Sequence, residues 1–248
     1  MSNKILFIFE GEKTENQITK NLTEFFLNEH TIIKCAYCST IYQVYSEISK
    51  DEDLDTFTLL KNRNQNKEIL KNYNRVDFAE IYMFFDYDGH DIIADDSKLK
   101  ELLEFFNEET EKGKLYLNYP MVESLKHISD YDTFKELKVK CKEKINYKNL
   151  VSENCISQLQ DLTNYKYETW QKLIETHLNK MNYIANDLYS FPENIISQLH
   201  IFSNQLEKYI NVDSTVGVLN SFPIFLHDYY GNIKIKDIIK KNTTVNTA

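Results

Sequence analysis

Glycine and proline are scarce in this chain, 5 and 3 among 248 residues. So few turn-formers exclude a meander of many hairpins, leave no Pro/Gly-rich linker to cut the chain in two, and favour long regular elements. Positive charge is in the minority, 29 Lys and Arg against 38 Asp and Glu, for a formal net charge of −9. That balance disfavours binding of nucleic acid by electrostatics alone, whose footprint is normally basic. It leaves room for a metal-dependent enzyme, in which divalent ions neutralise part of the acid and basic residues line one face. The four cysteines contain one CxxC, Cys35 and Cys38, with Cys141 and Cys155 far from it. Lacking a second CxxC or a closely spaced histidine pair, they do not form a zinc framework and read as buried or idle thiols. No apolar run approaches bilayer length and no basic-then-apolar signal pattern opens the chain, so a cytoplasmic protein without a membrane partner is expected. Also missing are the G-x-S-x-G elbow, H-E-x-x-H, the P-loop and G-x-G-x-x-G, so ATP binding through a P-loop of its own is not expected.

What is present is a large apolar share, 42% hydrophobic and 13% aromatic, enough to bury a substantial core. KILFIF at 4–9 reads as a buried strand, and Gly11 turns the chain. Thr14 with Gln17 has the form of a capping box for a helix reaching about residue 28. Thr31–Tyr37 suits a second strand, Tyr42–Ser49 and Phe57–Asn72 suit helices, and the acidic DEDLD at 51–55 suits a solvated loop. Ala79–Phe85 is another apolar strand, Lys98–Asn107 an amphipathic helix and Lys114–Leu117 a short strand. Pro120 falls where a first helical turn tolerates it. The order predicts an α/β fold: a mainly parallel sheet flanked by helices over residues 1–130. A mostly helical region packed on it is expected over 131–241, with a tail at 242–248. Phe134–Lys148, Trp170–Leu188 and Ile195–Ile210 are its helices, and 216–230 a short strand or turn followed by a helix ended by Gly231.

Two apolar strands run into acids. The first ends FEGEKTE, with Glu10, Glu12 and Glu15. The second ends FFDYDGHD, with Asp86, Asp88 and, beyond His90, Asp91. Ligands and metals in open α/β sheets bind at the carboxyl ends of strands. Side chains alternate in an extended segment, so Asp86 and Asp88 point the same way, and two such carboxylates with water nearby suit magnesium. Glu12 and Glu15 also suit a helix's first turn, where the dipole favours acids. Asp95 and Asp96 extend the acidic loop, for which a solvated turn is the plainer reading. The stretch at 135–148 holds six lysines against two glutamates, with Lys138, Lys140, Lys142 and Lys144 alternating. It is a candidate phosphate-contacting face as well as a solvated one. Lys234, Lys236, Lys240 and Lys241 form a weaker basic patch.

The pair of motifs resembles the Toprim fold of topoisomerases, primases and OLD-type nucleases. EGEKTE is most similar to the small Toprim-like proteins of bacterial anti-phage defence, the RloB-like group and the nuclease partner of the PARIS system. The resemblance covers about residues 4–128. It implies Glu10 as general acid/base and Asp86 and Asp88 as Mg²⁺ (or Mn²⁺) ligands, with Glu10 able to join the metal site. RloB-like chains carry an Asn-Pro and a glutamate after the fourth strand. The corresponding NYPMVESLKH holds Asn118, Pro120, Glu123 and His127, with Tyr119 interrupting the pair. Glu123 is thereby a further candidate acid, and Lys13, His127, Lys138 and Lys142 are candidate nucleic-acid contacts. The function expected is a metal-dependent nuclease acting on DNA or RNA, tRNA included. It would be the toxic effector of an abortive-infection system with an ATPase or other defence partner, and a homo-oligomer. The competing expectation is a catalytically inert Toprim-fold binding or regulatory module. A primase or topoisomerase subunit fits less well, since no DNA-gating domain or zinc ribbon is recognisable.

Overall fold

The computed structural model describes residues 4–27, 32–38, 40–50, 55–87, 89–90 and 95–241. The chain divides into two compact units, residues 1–122 and 123–248. Thr31, residues 51–54, Asp88, Asp91 and the tail at 242–248 lie outside the described residues.

The first unit is built on β1 (Lys4–Phe9), α1 (Lys13–Phe25), β2 (Ile32–Tyr37), α2 (Ile41–Ile48), α3 (Thr56–Lys61), α4 (Lys67–Leu70), β3 (Glu80–Asp86), α5 (Asp96–Phe105), β4 (Asn107–Glu108) and β5 (Gly113–Asn118). The sheet order is β2-β1-β3-β5-β4. All pairings are parallel except β4 with β5, a short antiparallel edge that sequence reading did not anticipate. Period-two alternation gives the sheet two chemically different faces. Phe7 and Phe9 stand opposite Tyr82 and Phe84, and Phe84 opposite Tyr116. These rings pack together, with Phe84 and Tyr116 stacked at 5.5 Å. The other face is mainly aliphatic, carrying Leu6, Ile8, Ile81, Met83, Leu115 and Leu117 with Phe85, all buried. Gly113 begins β5 at φ +108°, where an added Cβ would lie 3.0 Å from Ile81 Cγ2, so both backbone and packing require glycine there.

Two local readings of this unit are corrected. The first helix begins at Lys13, with Glu12 at the cap position making no side-chain cap bond. Thr14 is therefore already inside the first turn, and the Thr14–Gln17 capping box does not form. Phe57–Asn72 is not one helix: α3 ends at Lys61, a 3₁₀ turn covers Asn64–Asn66, and α4 follows. Asn66 explains the break. Fully buried, it accepts from the Tyr37 amide and donates to the Tyr37 and Leu60 carbonyls, so it holds the chain to the end of β2 instead of continuing the helix.

The second unit opens with a 3₁₀ turn at Val122–Lys126, which follows a cis Tyr119–Pro120 bond rather than an α-helix begun by Pro120. After it come β6 (Lys138–Lys140), α6 (Tyr147–Asn154), α7 (Tyr167–Asn186), α8 (Gln198–Gln205), a π-turn (Leu206–Ile210), α9 (Asn211–Asp213), β7 (Thr215–Gly217) and α10 (Ser221–Lys240). The core lies along α7, where Trp170, Leu173, Ile174, Leu178, Met181 and Ile184 are fully buried, and α7 packs against α10. Gly231 breaks α10 at φ 70°, ψ 168°, but the helix resumes beyond it instead of ending. The expected helix over Phe134–Lys148 is replaced by a 3₁₀ turn at Phe134–Glu136 and by β6, antiparallel to β7. Lysine at every second position serves a strand with Val139 inward and Lys138 and Lys140 outward.

Candidate active site

Both acidic strand ends lie on one edge. Glu10 follows β1 directly, and Asp86 is the last residue of β3. The two strands are parallel neighbours with Phe9 opposite Phe84, which brings both carboxylates, each half-buried, to the carboxyl edge of the sheet. Asp86 is in register with Asn118 at the end of β5, and Asn118 Nδ2 donates to Asp86 Oδ1 at 3.0 Å. The Tyr87 amide donates to the Asn118 carbonyl at 3.0 Å. Asn118 thus orients Asp86 with its side chain while its main chain holds the residue that follows.

Glu10 is followed by Gly11, whose missing side chain matters. A Cβ there would lie 2.8 Å from Glu15 Oε1 and 3.1 Å from Oε2, so the Glu15 carboxylate folds back over Gly11. Glu15 is only 8% exposed, whereas Glu12 is exposed. Of the three glutamates in FEGEKTE, Glu15 and not Glu12 is the one buried against Gly11. Burial raises the Tyr37 phenol, the Asn16 hydrogen bond lowers it, and the charges of Glu12 and Glu15 are among those that raise it again. Lys13 is exposed at the start of α1.

The acids after β3 divide differently. Asp88, expected as a metal ligand, lies outside the described residues, as does Asp91. Asp95 is the N-cap of α5, and the hydrogen bonds it accepts from the Ser97 hydroxyl and then from the Lys98 and Ser97 amides hold its carboxyl below the usual range. Asp96 accepts from the Tyr87 hydroxyl at 2.7 Å. Structural bonds account for both positions.

Glu123 and His127 belong to the second unit. The sequence reading that put them on one helix face is corrected: in a 3₁₀ turn of three residues per turn, positions four apart do not align. They meet consecutive residues of α6 instead. Glu123 Oε1 lies 3.4 Å from Lys148 Nζ, and His127 Nδ1 lies 3.0 Å from the Tyr147 hydroxyl. Glu123 is 7% exposed, and its Oε2 is buried without a hydrogen-bond partner among the described residues. Burial, aided by Lys180, holds His127 down at about 4. A neutral, buried imidazole is a poor phosphate contact, so its position speaks against that expectation.

Lys138 makes a 2.6 Å ion pair with Asp213, and Lys140 donates to the Asp213 carbonyl at 2.7 Å. Lys138 therefore braces the paired strands β6 and β7, while Lys142 is exposed. Sequence reading missed Lys180. It is fully buried in α7 and donates to the carbonyls of Phe134 and Leu137, and burial holds it well below its ordinary range. Cys35 is half-buried and Cys38, Cys141 and Cys155 are buried, all as free thiols. Burial pushes Cys35 up to about 11, the opposite of a reactive thiol.

No family model, curated protein or solved structure matches the chain. The fold itself defines the class: an α/β protein with a mostly parallel five-stranded sheet and helices, followed by a helical carboxyl-terminal region. Among the described residues, no helix is long and apolar enough to cross a membrane.

Proposed function

We propose that the carboxyl edge of the first unit's sheet is the active site of a Toprim-type, Mg²⁺-dependent nuclease. Its substrate would be the phosphodiester backbone of DNA or RNA, tRNA included. Its setting would be a bacterial anti-phage system in which this chain, as a homo-oligomer, is the toxic effector released by a partner such as a separate ATPase. The observation that carries the reading is the parallel β1–β3 register, which brings Glu10 and Asp86 to neighbouring strand ends with Asn118 orienting Asp86.

The donor chemistry is compatible with magnesium, which takes oxygen ligands and is commonly bound through one or two carboxylates while keeping several waters. Glu10 and Asp86 would hold it. When bound, it would lower the pKa of a water and neutralise charge on the phosphate. Asn118 holds one oxygen of Asp86 by its hydrogen bond. Glu10, half-buried at the end of β1, would take a proton from the attacking water or return one to the leaving oxygen. The buried carboxylate of Glu15 makes the local field more negative and so favours a cation between the strand ends.

The competing reading is a catalytically inert Toprim-fold binding or regulatory module. Cleavage decides between them. Wild-type protein, supplied with its partner and Mg²⁺, should cut nucleic acid, and Glu10→Ala or Asp86→Ala should remove cutting by orders of magnitude while leaving circular dichroism unchanged. Equal cutting by wild type and both variants would refute the site.

A further inference from the structure

Arg63 stands at the same edge of the sheet and was not singled out by any motif. The turn that carries it is pinned to the carboxyl end of β2. Asn66 bonds both the amide and the carbonyl of Tyr37, and Gln65 Nε2 donates to that carbonyl at 2.8 Å. The next amide, Cys38, donates to the Phe9 carbonyl at 2.8 Å, which ties the exit of β2 to the residue just before Glu10. Burial raises the Cys38 thiol, the charge of Arg63 lowers it, and Glu10 and Glu47 raise it again, so the guanidinium and the Glu10 carboxylate act on one sulfur atom.

The guanidinium is incompletely satisfied. Its Nη2 lies 3.2 Å from Glu47 Oε1, with the Arg63 side chain 21% exposed and Glu47 51% exposed. Its Nε is buried and meets no hydrogen-bond partner among the described residues. An exposed ion pair of this kind contributes little to stability and exchanges readily. A guanidinium presents five donors in a planar fork that matches two oxygens of a phosphate. In a chain with a −9 balance, a cation held by the fold beside the acidic edge is where the anionic group would be received.

We propose that Arg63 binds the non-bridging oxygens of a phosphodiester at the carboxyl edge of the sheet, exchanging Glu47 for the phosphate when substrate arrives. The proposal rests on the reading of that edge as the active site and adds the group that holds the substrate's charge.

The test is equilibrium binding of a fluorescently labelled single-stranded oligonucleotide, DNA and RNA in turn, to the full chain in EDTA across a salt series. Removing divalent metal separates binding from cutting. Arg63→Ala should weaken binding about tenfold, the size of losing one charge-assisted hydrogen bond. It should also flatten the slope of log K against log salt by about 0.7, one phosphate contact on a single strand. Arg63→Lys should recover part of the loss, and Glu47→Gln, which frees the guanidinium, should tighten binding, an effect that a purely structural ion pair would not produce. No binding by wild type, wild-type affinity in both Arg63→Ala and Glu47→Gln, or a lowered melting temperature without a change in salt slope would each overturn the proposal. Its failure is distinct from failure of the nuclease reading, which would appear as undiminished cutting by Glu10→Ala whatever the Arg63 variants bind.

Discussion

At the scale of single residues, Glu10 and Asp86 were legible because an apolar run that ends in acid is visible without any partner. The groups that arrange them were not. Asn118 acts on Asp86 only because β5 lies beside β3 in a particular register, and Glu15 is buried only because Gly11 leaves it room. Two substitutions test these placements. Asn118→Ala removes a bond to the half-buried Asp86 carboxylate and should cost about 1–2 kcal/mol in urea unfolding. If it leaves both stability and divalent-metal affinity at wild-type values, Asn118 does not orient Asp86. Gly11→Ala should displace the Glu15 carboxylate by steric overlap and weaken metal binding, while Glu12→Ala, at an exposed site, should leave it unchanged. Equal effects of the two would show that the glutamates are equivalent after all.

Among the elements, the strands were read well and the 134–148 segment badly. A lysine-rich stretch with apolar residues between supports either period over a few positions. What decides for a strand is β7, more than seventy-four residues on (Lys140 pairs with Thr215), whose backbone completes the ladder. Gln205 extends the same device. Fully buried, its amide donates to the Gly217 carbonyl at 2.8 Å and accepts from the Gly217 amide at 2.9 Å, so a helical side chain takes the place of a neighbouring strand. Gly231 was read as a helix stop and is instead a break within α10. A Cβ there would touch nothing within 4 Å, so Gly231→Ala isolates the backbone effect. A conformation at positive φ with extended ψ is nearly confined to glycine, and the change should destabilise by about 1–3 kcal/mol in thermal unfolding. A neutral or stabilising result would show that the break relaxes without it.

On the scale of the whole molecule, the acidic balance gave no sign of the buried basic side chains of the second unit. Burial holds His127 at about 4 and His177 at about 3, both against an ordinary 6.5, and Lys180 well below its usual 10.5. In each case the folded state binds its proton less readily than the unfolded chain, so the unfolded chain carries more protons in the intervening range. Stability therefore rises with pH there and is lost as the medium is acidified. For the histidines that loss runs from 6.5 downward through about 4 and then about 3. Urea midpoints across this range should fall with pH, and the imidazole NMR signals of His127 and His177 should stay unshifted down to about pH 5. Titration of both rings near 6.5 would contradict the packing around α7.

The central claim, that the ends of β1 and β3 form a metal-dependent phosphodiester site, is tested most directly by calorimetric titration of Mn²⁺ or Mg²⁺ into the full chain, its Glu10→Ala variant and its Asp86→Ala variant. The account predicts saturable binding by the wild type that both substitutions abolish without loss of fold. Absence of binding by the wild type, or heats unchanged by either substitution, would contradict it.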